Sequence, residues 1–169
     1  MANPVYSIVR LDNLAGTTDP TKLVSFRYHN GTSYAAIENG FLVSLDSLIE
    51  GEREIWKAVA PTLNQTLGKL VLCATPELMY NTVVDKNLSD FQNEAGADCR
   101  GYILSSGDIF GVTVDAFASD TAPTSTNKYI TIAAATQSMT ADSSATNARL
   151  EYIATESDNG YTYYVLRVL

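Results

Sequence analysis

Apolar residues in this chain come in short runs punctuated by turn residues, among them Asn-Gly pairs, a Ser-Gly-Asp turn and proline-bearing segments. A chain divided in this way buries its apolar groups most readily as strands joined by tight turns. The clearest instance lies near the C-terminus. There Arg149 to Thr155 and Tyr161 to Leu169 flank Glu156-Ser157-Asp158-Asn159-Gly160, whose final pair readily takes the positive φ values of a hairpin turn.

The same logic predicts further strands upstream. Leu23 to Tyr28 alternates apolar and polar residues; Asn30-Gly31 and Ser33 to Ile37 then complete a hairpin, and Phe41 to Leu45 extends it into a meander. Gly101 to Leu104 and Ile109 to Phe117, around Ser105-Ser106-Gly107-Asp108, predict a second hairpin. Val5 to Leu11, Leu67 to Ala74 and Lys128 to Ala133 are further strand candidates. Between Asp46 and Pro61 the texture changes. Ile55, Trp56 and Val59 have a weak helical spacing, with Gly51 inside and Pro61 as a stop, so this stretch reads as a loop with a short helical turn. Thr75-Pro76-Glu77 has the form of a helix start running through Tyr80, and Ser89 or Asp90 can cap another short turn that Gly96 ends. Ser119 to Asn127 reads as a polar loop, and residues 136–148, poor in large apolar groups, predict a polar surface loop. The expectation is a mainly β chain, an antiparallel β-sandwich or barrel with one or two short helices in the middle third. It forms a single domain over residues 1–169 with an extended N-terminal arm over residues 1–5.

Length and charge narrow the function. A chain of 169 residues, 46% hydrophobic, can bury a core without disulfides or structural metal. Its formal net charge of -8 has the wrong sign for a protein that draws affinity from phosphates, so direct nucleic-acid binding is disfavoured and basic partner surfaces are favoured. No apolar stretch is long enough for a membrane span, and the first residues lack the form of a signal peptide. Asn30-Gly31-Thr32, Asn64-Gln65-Thr66 and Asn87-Leu88-Ser89 fit the glycosylation pattern by chance on that reading. Cys73 and Cys99 are expected as free thiols in a reducing cytoplasm.

Catalytic chemistry is tested by elimination. His29 is the only histidine, which removes zinc sites built on several histidines, and no metal or cofactor is expected. Beside Asn30-Gly31 it reads as an exposed turn residue. No nucleophile elbow supports a serine triad, and no glycine-rich phosphate cradle is present. Glu50, Glu52, Glu54, Glu77 and Asp108 offer carboxylates for glycosidase work, but those around Arg53 read more simply as a solvated acidic face. Asp158-Asn159-Gly160 lacks the repeated acids of a calcium loop and reads as a turn. Of ten tyrosines, Tyr152, Tyr161, Tyr163 and Tyr164 gather in the last hairpin, where they serve core and cross-strand packing or, alternatively, a contact surface.

Several segments carry a resemblance. Gly40-Phe41-Leu42-Val43-Ser44-Leu45-Asp46, Gly51-Glu52-Arg53-Glu54-Ile55-Trp56-Lys57-Ala58, Thr75-Pro76-Glu77-Leu78-Met79-Tyr80, Asp90-Phe91-Gln92-Asn93-Glu94-Ala95-Gly96 and Arg100-Gly101-Tyr102-Ile103-Leu104, followed by Gly107-Asp108-Ile109-Phe110-Gly111-Val112-Thr113, together resemble a family of capsid-associated virion proteins of tailed bacteriophages. The resemblance covers mostly residues 40–117. It implies a β-rich decoration or cement protein, made in the host cytoplasm and bound to the major capsid protein on the capsid exterior, with no catalytic residue. Binding only the assembled lattice would stabilise the shell by mass action. The expected contact surface is the arm Ala2, Asn3, Pro4 and Val5, which can add a strand to a neighbour's edge, together with Arg53, Trp56 and Lys57 in the central loop. Trp56 has a competing role as a core anchor. Self-association as a trimer is the first expectation and a monomer the alternative. A head-tail junction or tail protein is the next reading, and a carboxylate-based glycan hydrolase the remote one.

Overall fold

The computed structural model describes residues 5–78, 87–132 and 136–169. Among the described residues eleven strands form two layers: β1 (Val9–Asn13), β2 (Leu23–Tyr28), β3 (Leu42–Leu48), β4 (Ile55–Val59), β5 (Leu70–Cys73), β6 (Cys99–Ile103), β7 (Ile109–Val112), β8 (Tyr129–Ile132), β9 (Met139–Asp142), β10 (Leu150–Asp158) and β11 (Tyr161–Val168). Strands β2 to β6 close into a five-stranded barrel in the order β2-β4-β3-β5-β6, and the other six make a sheet in the order β1-β7-β11-β10-β8-β9. All neighbours are antiparallel except β2 and β4, which run parallel with Phe26 opposite Trp56 and Tyr28 opposite Ala58. The mainly β expectation therefore holds, with a barrel and an open sheet both present.

Alternation along β5 explains how the layers join. Val71 and Cys73 point into the barrel with Phe26, Tyr28, Val43, Leu45, Ala58 and Cys99. Leu70 and Leu72 point out, where with Leu42, Tyr102 and Leu104 they meet Phe110, Val112, Ile130, Leu150, Leu166 and Val168 of the sheet. A strand buried on both faces reads as a continuous apolar run, as Leu70-Val71-Leu72-Cys73 does. Each fully buried Leu or Phe in these two cores contributes about 1.5–3 kcal/mol relative to exposure.

Inside the barrel the walls approach closely at Gly101. A Cβ there would come within 2.3 Å of Val71 Cγ1 and 2.9 Å of Phe26 Cε1. The last hairpin forms as expected: β10 pairs with β11 from Leu150 opposite Val168 to Asp158 opposite Tyr161, and the turn residues Asn159 and Gly160 take φ of 48° and 83°.

Other expectations are corrected. Ser33 to Ile37 is not a strand; it touches its surroundings through single bridges, His29 with Tyr34 and Ile37 with Asn93, so no meander forms. Residues 55–59 form β4 rather than a helical turn, because Ala58 fills the barrel interior, Trp56 packs at its margin, and alternation places both on the inner face. β6 and β7 do not pair as a hairpin. The turn between them carries the chain from barrel to sheet, held by Asp108, whose carboxylate accepts the Ser105 and Ala15 N–H groups. Residues 136–148 are not only a loop: β9 lies within them, Met139 is fully buried, and the Leu42 N–H donates to the Gln137 carbonyl. The strand expected from Leu67 begins only at Leu70, its first residues forming a 3-10 turn over Leu67–Lys69, and the turn expected after a Ser89 or Asp90 cap is replaced by a single 3-10 turn over Leu88–Asp90 with Asn87 and Asp90 in a capping box, residues 91–95 being non-helical. The helix expected from Thr75 through Tyr80 is not formed over residues 75–78, and its remainder lies outside the described residues.

Candidate functional site

The strand directions separate the expected contact residues into two places. β2 and β4 finish, and β6 begins, at one end of the barrel; β4 begins at the other. The arm enters at the first end. Val5 is exposed, the Tyr6 N–H donates to the Ser89 carbonyl at 2.8 Å, and the Ser7 N–H donates to Glu38 Oε2 at 2.8 Å. Ala2, Asn3 and Pro4 lie outside the described residues. Arg53 sits at the second end, in the exposed turn between β3 and β4.

Within the second group the roles differ. Trp56 is half-buried and packs against the barrel interior, opposite Phe26 on one side and Leu48 on the other. Its ring therefore serves the fold at the barrel margin. Lys57 faces outward, 3.3 Å from Asp46. Arg53 is exposed, while its neighbour Glu52 reaches Arg27, which also holds Asp98 at 2.5 Å. The expected acidic face is thus partly neutralised by Arg27 on the barrel wall.

At the arm end, a buried polar cluster fixes the loops. Asn39 is wholly buried; its Oδ1 accepts from the Thr75 N–H at 3.0 Å and from Asn93 Nδ2 at 3.2 Å, while its Nδ2 donates to the Thr75 carbonyl and to Glu77. Satisfied on both ends of the amide, Asn39 ties the β2–β3 loop to the chain leaving β5. Beside it, burial raises the Glu38 carboxyl above its ordinary range, Asp115 and Asp120 push it the same way, and the Ser7 N–H opposes them. Gly40, at φ 81°, leaves room for Ser7 Oγ 2.7 Å from where a Cβ would stand. That hydroxyl is the one buried side-chain polar atom among the described residues with no hydrogen-bond partner.

A third surface was not singled out in the sequence. On the outer face of the sheet, Arg10 of β1 reaches across Gly111 of β7. Its guanidinium bonds Asp12 at 2.7 Å and Glu156 at 2.5 Å and lies 5.1 Å from the Tyr163 ring centroid. A Cβ at Gly111 would stand 3.3 Å from the Tyr163 Cβ and 3.7 Å from the guanidinium, so the missing side chain is what opens this path. Further along, Glu151 accepts from Lys128 at 2.7 Å and Arg167 at 2.6 Å, bonds that hold its carboxyl below the ordinary range. The alternation of Arg10 and Asp12 signals an outward face, but nothing local to β1 points to Glu156.

The tyrosines divide between faces. Tyr164 meets Phe117 edge-on at 5.9 Å and Tyr152 at 6.4 Å on the core side, whereas Tyr163 lies under Arg10 on the outer side. Ala154 does not share Tyr152's face, because a bulge between Tyr152 and Ala154 reverses the parity. His29 is half-buried rather than exposed, bridging Tyr34 just after β2, with its Nδ1 accepting from the Gly31 N–H at 3.1 Å and its ring edge-on to Tyr34.

Among the described residues, no group of three or more His, Cys, Asp or Glu is placed to hold a metal ion, and no helix is long and apolar enough to cross a membrane. Comparison with known proteins found no matching family model, curated protein or solved structure.

Proposed function

We propose that this chain is a non-enzymatic structural protein of a tailed bacteriophage virion, bound to the major capsid protein on the exterior of the assembled shell, which it stabilises. The observation that carries the reading is the placement of two exposed elements, the arm root at Val5 and the Arg53 turn, at opposite ends of a closed barrel. A barrel has no free edge to deform, so it holds two contacts at a fixed spacing. A body that touches two neighbouring shell subunits at once binds the lattice and not its separate parts, and mass action then favours the assembled state.

Charge supports the same reading. The net -8 steers the protein towards basic surfaces, and Arg53 offers a local cation for an acidic group on the partner. Strand addition by the arm would supply main-chain hydrogen bonds without a demand on its sequence. We take a trimer as the working assembly, with a monomer as the alternative that sedimentation distinguishes.

The test is co-sedimentation of purified protein with capsids that lack it, followed by heating and scoring of shell rupture. Saturable binding with a raised rupture temperature is expected, and Arg53→Glu or removal of residues 1–5 should weaken binding at least tenfold while the melting temperature of the free protein stays unchanged. Absence of binding overturns the proposal and moves the protein to the head-tail junction or tail.

A further inference from the structure

We propose that the arm end of the barrel is a docking face for a lysine- or arginine-rich protein segment bearing apolar side chains, contributed by the shell subunit if the capsid reading above holds. The partner's cations meet carboxylates that have no cation of their own, and its apolar groups meet Val5 and Leu78. Hydrogen bonds bring the parts of this face together. The Ser7 N–H donates to Glu38 Oε2, and Asn39, next to Glu38, donates to Glu77 Oε1 at 3.0 Å. Thr113 Oγ1 accepts the Ile8 N–H and donates to Asp115 at 2.9 Å, while Asp115 and Asp120 both act on Glu38 through their charge. Asp90 belongs to the 3-10 turn whose Ser89 carbonyl accepts the Tyr6 N–H. Val5 precedes Tyr6 and Leu78 follows Glu77; at 63% each they are the most exposed large apolar residues among those described.

What sets this end apart is the missing counter-charge. None of Glu38, Glu77, Asp90, Asp115 and Asp120 takes part in an ion pair among the described residues, where the paired cations are Arg10, Arg27, Lys57, Lys128 and Arg167. Two arginines stand on the strands that end or begin here: Arg27 is engaged by Asp98 and Glu52, and Arg100 forms no ion pair. All five carboxylates but that of Asp120 belong to half-buried residues. A half-buried carboxylate gives up hydration and ordinarily regains that energy from a cation, as Glu151 does from Lys128 and Arg167 on the sheet. At the arm end like charges gather instead, and burial together with Asp115 and Asp120 raises the Glu38 carboxyl. Cations carried by a partner relieve that repulsion only in the complex, so their attraction goes into binding and steers the approach. The same charges repel a nucleic acid. Exposed Val5 and Leu78 add apolar area at the margin of the charged group, which charge alone does not supply.

The face is tested first on the free protein, so that its failure and that of the capsid reading can be told apart. Isotope-labelled protein is titrated with the blocked pentapeptide Lys-Leu-Lys-Leu-Lys and followed by amide NMR. The resonances of Tyr6, Leu78 and Asp120 should shift, those of Arg53 and Glu54 should stay in place, and high salt should weaken the effect. The same peptide with glutamate for lysine should shift none of them. Shifts centred on the Arg53 turn, shifts spread evenly over the surface, or no shift at all would overturn the docking face. Capsid co-sedimentation then tests who supplies the segment. Asp115→Asn with Asp120→Asn should weaken binding roughly fivefold, the usual size for two exposed charge pairs, and Val5→Ser with Leu78→Ser should weaken it independently of the charges. Glu50→Gln with Glu54→Gln, which removes equal charge from the other end, should bind as the parent does. Capsid binding that neither arm-end variant weakens overturns the proposal and leaves the capsid reading standing. A parent that shifts with the lysine peptide but binds no capsid keeps the docking face and overturns the capsid reading.

Discussion

Replacing Gly101 with alanine tests whether the barrel interior is packed as described. The added Cβ would lie 2.3 Å from Val71 Cγ1 and 2.9 Å from Phe26 Cε1, against about 3.5–4.0 Å for unstrained carbon contacts. Val71 sits on β5, buried and held between β3 and β6, so it has nowhere to retreat without moving the strand. Overpacking of this kind costs about 3 kcal/mol, the upper part of the usual range. In a chain of this size that lowers the melting temperature by about 6–12 °C. Val71→Ala alone leaves a small cavity and costs about 2 kcal/mol. In the double variant the new methyl occupies space that Val71 has vacated, so the cost should be about 2 kcal/mol and not the roughly 5 kcal/mol of the two changes added. Urea denaturation of the parent and the three variants, read by the fluorescence of Trp56 at the barrel margin, measures the whole cycle. Strict additivity would refute the packing argument, and so would a Gly101→Ala protein as stable as its parent.

Three further outcomes follow from the same geometry. Trp56→Ala should lower the melting temperature by about 4–8 °C, as removal of a half-buried anchor costs about 2 kcal/mol; an unchanged melting point in differential scanning calorimetry would return Trp56 to the contact surface. Asn39→Ala strips partners from the Thr75 N–H and from Asn93 and should cost about 3 kcal/mol in chemical denaturation, a value below 1 kcal/mol contradicting the cluster as described. The Glu38 carboxyl is raised when folded, so its contribution to stability is full below its unfolded value near 4.5 and declines as pH rises through the folded value. Glu38→Gln keeps an oxygen for the Ser7 N–H and should therefore melt with the parent near pH 4 and above it at pH 7; equal melting at both would show the carboxyl to be unstrained.

What the sequence disclosed depended on how local the deciding contacts were. The β10–β11 hairpin was legible because its turn chemistry and its partners lie side by side in the chain. Leu70-Val71-Leu72-Cys73 was legible as a strand, though not as the wall shared by two cores. The stretch from Ile55 to Val59 misled because three apolar residues fit a helical spacing as well as a strand facing a curved interior, and only the barrel decides between them. Ser105 to Asp108 looks like a hairpin turn from either side, but the strands it joins belong to different layers. Met139 shows the limit in the other direction, since a single methionine among polar residues carries no periodicity. Of the expected contact residues, the exposure of Arg53 accords with its charge and its place in a polar segment, whereas the half-burial of Trp56 required Phe26 and Leu48 to be in place.

The order of the strands also governs how the molecule can be made. β2 to β6 are consecutive in the chain, so every partner needed to close the barrel has emerged once Ile103 is available. The sheet is different: β1 precedes the barrel, yet it pairs with β7, which rests on β11, the final strand in the order. Ile8 and Thr113, joined by hydrogen bonds at the start of this pairing, stand 105 positions apart. Contacts of such separation form slowly. On a ribosome the barrel should therefore assemble first, with the segment that becomes β1 left unpaired until β7 to β11 arrive to capture it.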